Sequence, residues 1–243
     1  MQNSPLNHSS HFPAPSLQLA VTRFISRTYL WMCMGLLLTG ITSVATLSSD
    51  FLMKMILETQ GVFFGIIILQ VALVFLIGIL MKKPAISGTL LSFLFLLYSA
   101  LTGLTFSSLG LVYTGESISQ TFFIASGMFG ALALFGTVTR KDLSPIGAFF
   151  GMGVVGLILL GALNLFLHSE ALSMGLATVG VFIFAGLTAY DAQMIRSLAY
   201  EYIQSGDQKS EQKAMIMGAL ILYLDFINLF LNLLKLLGKK RDR

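Results

Sequence analysis

Long apolar runs separated by short polar connections dominate this chain. Seven runs stand out: Tyr29–Leu47, Gly61–Met81, Ile86–Phe106, Gln120–Thr139, Pro145–Leu167, Ala171–Tyr190 (with a continuation to Ile195 allowed) and Ala214–Leu237. A helix on a soluble protein keeps a polar face, whereas a segment apolar all round for about 20 residues suits hydrocarbon. Hydrocarbon offers no hydrogen-bond partner to an exposed backbone, so each crossing must be a helix that satisfies itself. The pattern predicts an all-α membrane protein, a seven-transmembrane-helix bundle over residues 21–238. Residues 1–20, with Pro5, Pro13, Pro15 and several serines, read as a flexible cytoplasmic tail. The first 28 residues lack the uninterrupted apolar core of a cleaved signal, and His8 and His11 read as ordinary tail residues. Residues 239–243 read as a basic C-terminal tail.

Three connections are very short. The longer ones are Ser48–Gln60, Ser107–Ser119 and the polar stretch Arg196–Lys213. Short loops make neighbouring helices antiparallel and pack them as one bundle. Basic residues orient the bundle, because cytoplasmic loops carry excess Lys and Arg. Arg23 and Arg27, Lys82 and Lys83, Arg140 and Lys141, and Arg196, Lys209 and Lys213 all fall on one side, against Lys54 alone in the alternate loops. The N-terminus is therefore expected in the cytoplasm, and a bacterial inner membrane fits best. The seventh run conflicts with this, since it would export Lys239-Lys240-Arg241-Asp242-Arg243. Either the tail is exported or the last segment re-enters. Early helices usually dominate orientation and the run is long enough to span, so seven crossings are expected.

Composition agrees with this layout. Of 243 residues, 56% are apolar and 11% charged, against about 25% charged in a typical soluble domain. The net charge of +4 reads as orientation and lipid-headgroup contact. Nucleic-acid binding would need a basic patch on a folded polar surface, and no segment supplies one. Cys33 is the single cysteine, so an internal disulfide is excluded. Gly61 and Gly65, and Gly147 and Gly151 followed by Gly153, Gly156 and Gly161, have the spacing of close helix contacts. They lack the strand that a phosphate-binding glycine loop requires. His168 reads as a surface residue, and Trp31 and Tyr29 as part of an interfacial aromatic belt.

Two acids stand within or at the edge of the runs: Asp191 at the cytoplasmic end of the sixth and Asp225 near the middle of the seventh. A charge at a helix centre costs about 2.5–3.5 kcal/mol on insertion scales. A partner, water, a cation or a proton must offset that cost, so an intramembrane acid is a functional candidate by default. Asp225, Asn228, Asn232 and Lys235 follow at i, i+3, i+7 and i+10 and line one stripe. Such a stripe must face the bundle interior or water. If the sixth helix ends near Ile195, Asp191 and Asp225 lie roughly 10 Å apart in depth at 1.5 Å rise per residue, so spacing alone does not establish contact. If they meet, two carboxylates in low dielectric would share a proton and attract a hard cation such as Ca²⁺, which seeks 6–8 oxygens. Waters, carbonyls or Asn228 would have to complete the shell, so weak binding is expected, as permeation requires.

The stretch Leu220–Lys235, Leu-Ile-Leu-Tyr-Leu-Asp-Phe-Ile-Asn-Leu-Phe-Leu-Asn-Leu-Leu-Lys, resembles the terminal signature of the Bax inhibitor-1 family. Tyr190-Asp191-Ala192-Gln193-Met194-Ile195 resembles that family's sixth-helix motif, and the helix layout agrees over about residues 20–238. The resemblance implies a seven-helix bundle with the last helix central. It implies a pH-sensitive calcium leak gated by a proton-sharing pair, Asp191 and Asp225, with Ca²⁺ as permeant ion and no cofactor. It also implies a closed-state latch by a basic residue after the second helix, for which Lys82 or Lys83 is the nearest match. Some relatives carry a carboxylate within the second helix. Gln70 stands at that position here, which removes one cation ligand.

Three other classes compete. A non-conducting regulator that binds membrane proteases or other membrane proteins would tolerate Asn at both aspartates. An intramembrane aspartyl protease would place paired acids on the sixth and seventh helices for general acid–base chemistry. It needs Gly-x-Gly-Asp at the second acid, where this chain has Leu222-Tyr223-Leu224-Asp225. A retinal receptor needs a mid-helix lysine, and Lys235 lies at a helix end. The expectation is therefore a multi-pass channel, not an enzyme.

Overall fold

A computed structural model describes residues 15–57 and 60–241. Among them are nine helices: α1 (Pro15–Leu47), α2 (Asp50–Leu57), α3 (Gln60–Met81), α4 (Gly88–Phe106), α5 (Leu109–Val112), α6 (Gly115–Val138), α7 (Ser144–Leu167), α8 (Glu170–Ser205) and α9 (Gln208–Leu237). Seven are long and apolar enough to cross a membrane, and α2 and α5 are short pieces within connections. The protein is an all-α membrane bundle.

The tail expected over residues 1–20 is helical from Pro15 onward. Proline lacks only an N–H that has no partner in a first turn, so it opens a helix readily. Residues 1–14, with His8 and His11, lie outside the described residues, as do Asp242 and Arg243.

The polar stretch Arg196–Lys213 also departs from expectation. It is not a loop: α8 continues to Ser205 and α9 begins at Gln208. Gly206 caps α8 in the left-handed conformation at φ 71°, where only glycine is unstrained. Asp207 caps α9, accepting from the backbone N–H groups of Lys209 and Ser210. The 36 residues of α8 span about 54 Å, well beyond a hydrocarbon core of about 30 Å. Its polar end therefore projects past the apolar layer, where charge costs little.

At the centre stands α9. It packs against α1, α3, α4, α6 and α8, whereas α7 packs on α8. In the most apolar window of α9, 67% is buried inside the bundle, against 6% for α7. Leu220, Leu222, Tyr223, Leu229 and Leu234 of α9 are among the largest fully buried side chains.

Of the glycines the spacing singled out, Gly147 and Gly153 make close helix contacts, and other approaches rest on glycines outside that set. Gly61, Gly65, Gly151, Gly156 and Gly161 face open space. At Gly136 of α6 a methyl would fall on the Ala189 carbonyl of α8, and at Gly147 on the ring of Tyr190. At Gly180 of α8 it would meet the side-chain amide of Asn232 on α9. Lipid tails are as apolar as leucine, so these backbone approaches supply contact that a hydrophobic drive between helices does not.

With seven crossings the C-terminal tail lies at the end of the bundle opposite Pro15. It is tied there: Thr114 N–H donates to the Lys239 carbonyl at 3.1 Å and Arg241 N–H to the Val112 carbonyl at 2.9 Å. Lys240 pairs with Glu170 at 3.6 Å, both side chains exposed.

Two outcomes follow from this packing. Gly136→Ala pushes α6 off the Ala189 carbonyl, a backbone atom that cannot rotate away. It should lower stability by roughly 1–3 kcal/mol, read by thermal unfolding in detergent. The Ser210 hydroxyl and the Ser210 and Lys209 N–H groups hold Asp207 below the usual carboxylate range. Its capping contribution is therefore present above the unfolded-state value and is lost as pH falls through the lowered one. Asp207→Ala should speed amide exchange at the start of α9 at neutral pH, and strong acid should do the same to the unaltered chain.

Candidate functional site

Asp191 and Asp225 meet. Their carboxyl groups face each other across the α8–α9 contact within hydrogen-bonding reach. Asp191 is 9% exposed and Asp225 5%. The position of the tight turn brings them level. Asp191 lies 14 residues before Ser205 and Asp225 lies 17 residues after Gln208, about 21 and 26 Å from the turn at 1.5 Å per residue. The 10 Å mismatch expected from a helix ending near Ile195 disappears once the polar stretch is helical. Ionised carboxylates only accept hydrogen bonds, so a bond between two carboxyls requires a proton on one of them. Asp225 Oδ2 is buried without a hydrogen-bond partner.

From Asp225 a crevice of about 560 Å³ runs along α9, with α7 and α8 as its other walls. Asp225, Asn228, Asn232 and Lys235 supply its polar lining, facing Val154 and Leu157 of α7 and Ala177 and Phe184 of α8. Asn228 Nδ2 donates to the Leu224 carbonyl at 2.8 Å and Asn232 Nδ2 to the Asn228 carbonyl at 2.7 Å. Both amides thus spend a donor on their own helix and keep a carbonyl oxygen as acceptor. Among the described residues no cluster of three or more His, Cys, Asp or Glu forms a metal cage. A cation at the pair would have two carboxyls, amide oxygens and water, a set that suits a hard ion held loosely.

Toward the α8–α9 turn, on the other side of the pair, a clamp closes the bundle. Gln193 Oε1 accepts from Leu143 N–H at 2.9 Å, and Gln193 Nε2 donates to the Lys141 carbonyl at 2.8 Å. Arg196 donates to the Thr137 carbonyl at 2.8 Å, capping the end of α6. Lys213, buried on α9, donates to the Lys83 carbonyl at 2.9 Å. Sequence reasoning treated Arg196 and Lys213 as loop charges and Gln193 only as part of a motif. Their common signal is a polar side chain within a helix, opposite the open backbone groups at the end of a neighbouring one.

Lys82 and Lys83 are not brought to the aspartates. Both are exposed at the end of α3, and no ion pair joins either to an acid among the described residues. The Lys83 carbonyl, not its ammonium, is what the bundle uses, as the acceptor for Lys213. Gln70 donates to Thr105 Oγ1 at 3.3 Å, tying α3 to α4 rather than joining the pair. His168 is exposed and ends α7 in the left-handed conformation at φ 50°. Two residues before Asp225 on α9, Tyr223 meets Thr39 of α1 and holds the two helices together through a buried hydroxyl contact of 2.7 Å.

The family model for inhibitors of apoptosis-promoting Bax1 matches residues 21–242. With that fold and this acid pair, the chain belongs to the Bax inhibitor family of multi-pass membrane proteins. It is 41% identical to the inner membrane protein YbhL of Escherichia coli K12 over 241 residues, covering 99% of this chain and 100% of YbhL. It is 41% identical to protein RP147 of Rickettsia prowazekii over 220 residues, 90% of this chain and 91% of that one. A Deinococcus radiodurans protein is 43% identical over 222 residues, 91% of this chain and 92% of that one.

Removing the hydroxyl of Tyr223 leaves its ring packed against Phe95 and Tyr98. Tyr223→Phe should therefore cost about 1 kcal/mol, the worth of one interhelical hydrogen bond, seen as a lower unfolding midpoint with the pathway intact.

Proposed function

We propose that this chain is a proton-controlled leak for Ca²⁺ across a bacterial inner membrane, with its N-terminus in the cytoplasm. One observation carries the proposal: two acids on neighbouring helices share a buried contact, and one of them, Asp225, lines a crevice that carries a polar stripe of α9. With one proton between them the carboxyls bind each other and hold α8 against α9. Without it they carry two charges in a low-dielectric site. That state pushes the helices apart and offers oxygen to a divalent cation. Asn228 and Asn232 would line the approach, and the Gln193 and Arg196 contacts would close the far end. Membership of the family, and the likeness to the Escherichia coli inner membrane protein YbhL, support the setting. A non-conducting regulator of membrane proteases needs no buried acid pair, so that alternative leaves the site without a purpose.

Reconstituted in liposomes, the chain should pass Ca²⁺ faster as the pH is raised, because deprotonation breaks the carboxyl–carboxyl bond. Asp225→Asn and Asp191→Asn should each flatten that dependence and reduce flux about tenfold or more, as expected when a cation loses a charged ligand worth over 1.4 kcal/mol. Flux that is absent at every pH, or unchanged in Asp225→Asn, would rule the proposal out.

A further inference from the structure

The crevice ending at Asp225 has a cation at its mouth. Lys235 lines it on the same face of α9 as Asp225, Asn228 and Asn232, and every other lining residue is apolar. It lies ten residues beyond Asp225, about 15 Å along the helix, and its side chain is exposed whereas Asp225 is buried. Among the described residues no ion pair occupies Lys235, while Glu170 at the same end of the bundle pairs with Lys240. An ion moving between this end and Asp225 therefore passes one uncompensated ammonium before it reaches a carboxylate.

We propose that Lys235 sets the ion preference of the pathway, discriminating against divalent cations by its charge at the crevice mouth; this rests on the leak function proposed above. The electrostatics are simple. A positive potential lowers the local concentration of a monovalent cation by some factor, and that of a divalent cation by the square of it. For an ion passing roughly 6 Å from the ammonium under physiological screening, the factor is about twofold for one charge and about fourfold for two. Asn232 and Asn228 carry no charge and impose no such valence dependence. The plain alternative is that Lys235 only anchors the helix end at the lipid interface. An anchor is blind to the valence of an ion in the crevice.

The test is a charge series in proteoliposomes: the unaltered chain, Lys235→Arg, Lys235→Gln and Lys235→Glu, with initial K⁺ and Ca²⁺ fluxes measured in each. Lys235→Arg should match the unaltered chain. Through Gln and Glu the logarithm of each flux should rise in step with the charge removed, and the slope for Ca²⁺ should be about twice that for K⁺. Both slopes should shrink near 1 M salt, where the screening length falls to about 3 Å. Equal slopes for the two ions, slopes insensitive to salt, or no change across the series would overturn the role of Lys235 while Asp225-dependent flux persists. If the unaltered chain passes neither ion, or Asp225→Asn conducts like it, the leak itself fails and the selectivity role goes with it.

Discussion

Two carboxyl groups pressed together inside a membrane bundle place a demand on everything around them. Neither can remain there charged and alone, because hydrocarbon gives back little of the lost hydration. The position of α9 answers that demand first. A helix carrying an acid at mid-depth must be surrounded by other helices, and α9 touches five. The tight turn at Gly206 and Asp207 answers it next, by bringing Asp191 and Asp225 to nearly the same depth. The crevice past Asn228 and Asn232 then reaches Asp225, whose Oδ2 stays buried and without a hydrogen-bond partner.

The rest of the bundle holds this geometry without a hydrophobic drive between helices. Backbone approaches at Gly136 and Gly180 fix α8 between α6 and α9. Thr39 and Tyr223 pin α9 to α1. Gln193, Arg196 and Lys213 each reach a neighbouring backbone near the α8–α9 turn. These are polar and steric contacts of the kind that organise helices in lipid. They concentrate on α8 and α9, so any separation of the two acids strains a defined set of bonds rather than the bundle as a whole.

Much of this was legible in the sequence. Apolar runs of about 20 residues gave the seven crossings because length and the absence of charge are sufficient conditions for a span. Asp191 and Asp225 stood out for the same reason, as rare charges against that background. Their contact was not legible, because the polar composition over Arg196–Lys213 resembles that of irregular chain. Composition reports where solvent is, whereas helicity there depends on local capping by Gly206 and Asp207. Glycine spacing misled in a similar way. The GxxxG at Gly61 and Gly65 identifies a smooth face but says nothing of what opposes it, and among the described residues no side chain or backbone does. The latch suggested at Lys82 and Lys83 was a carry-over by position along the chain. In the fold, the basic residues that reach inward are Arg196 and Lys213, and both bind carbonyls rather than acids.

The central claim is that Asp191 and Asp225 hold one proton in common. Infrared pH-difference spectroscopy of the reconstituted protein observes it directly, through the stretching band of a protonated carboxyl. The shared proton predicts that, among the carboxyl signals of the chain's 11 Asp and Glu residues, one is common to the pair, abolished or displaced by Asp191→Asn and by Asp225→Asn alike, since each removes half of the same site. Two independent signals, each lost in only one of the variants, would mean that the acids titrate as strangers and that no common proton joins α8 to α9.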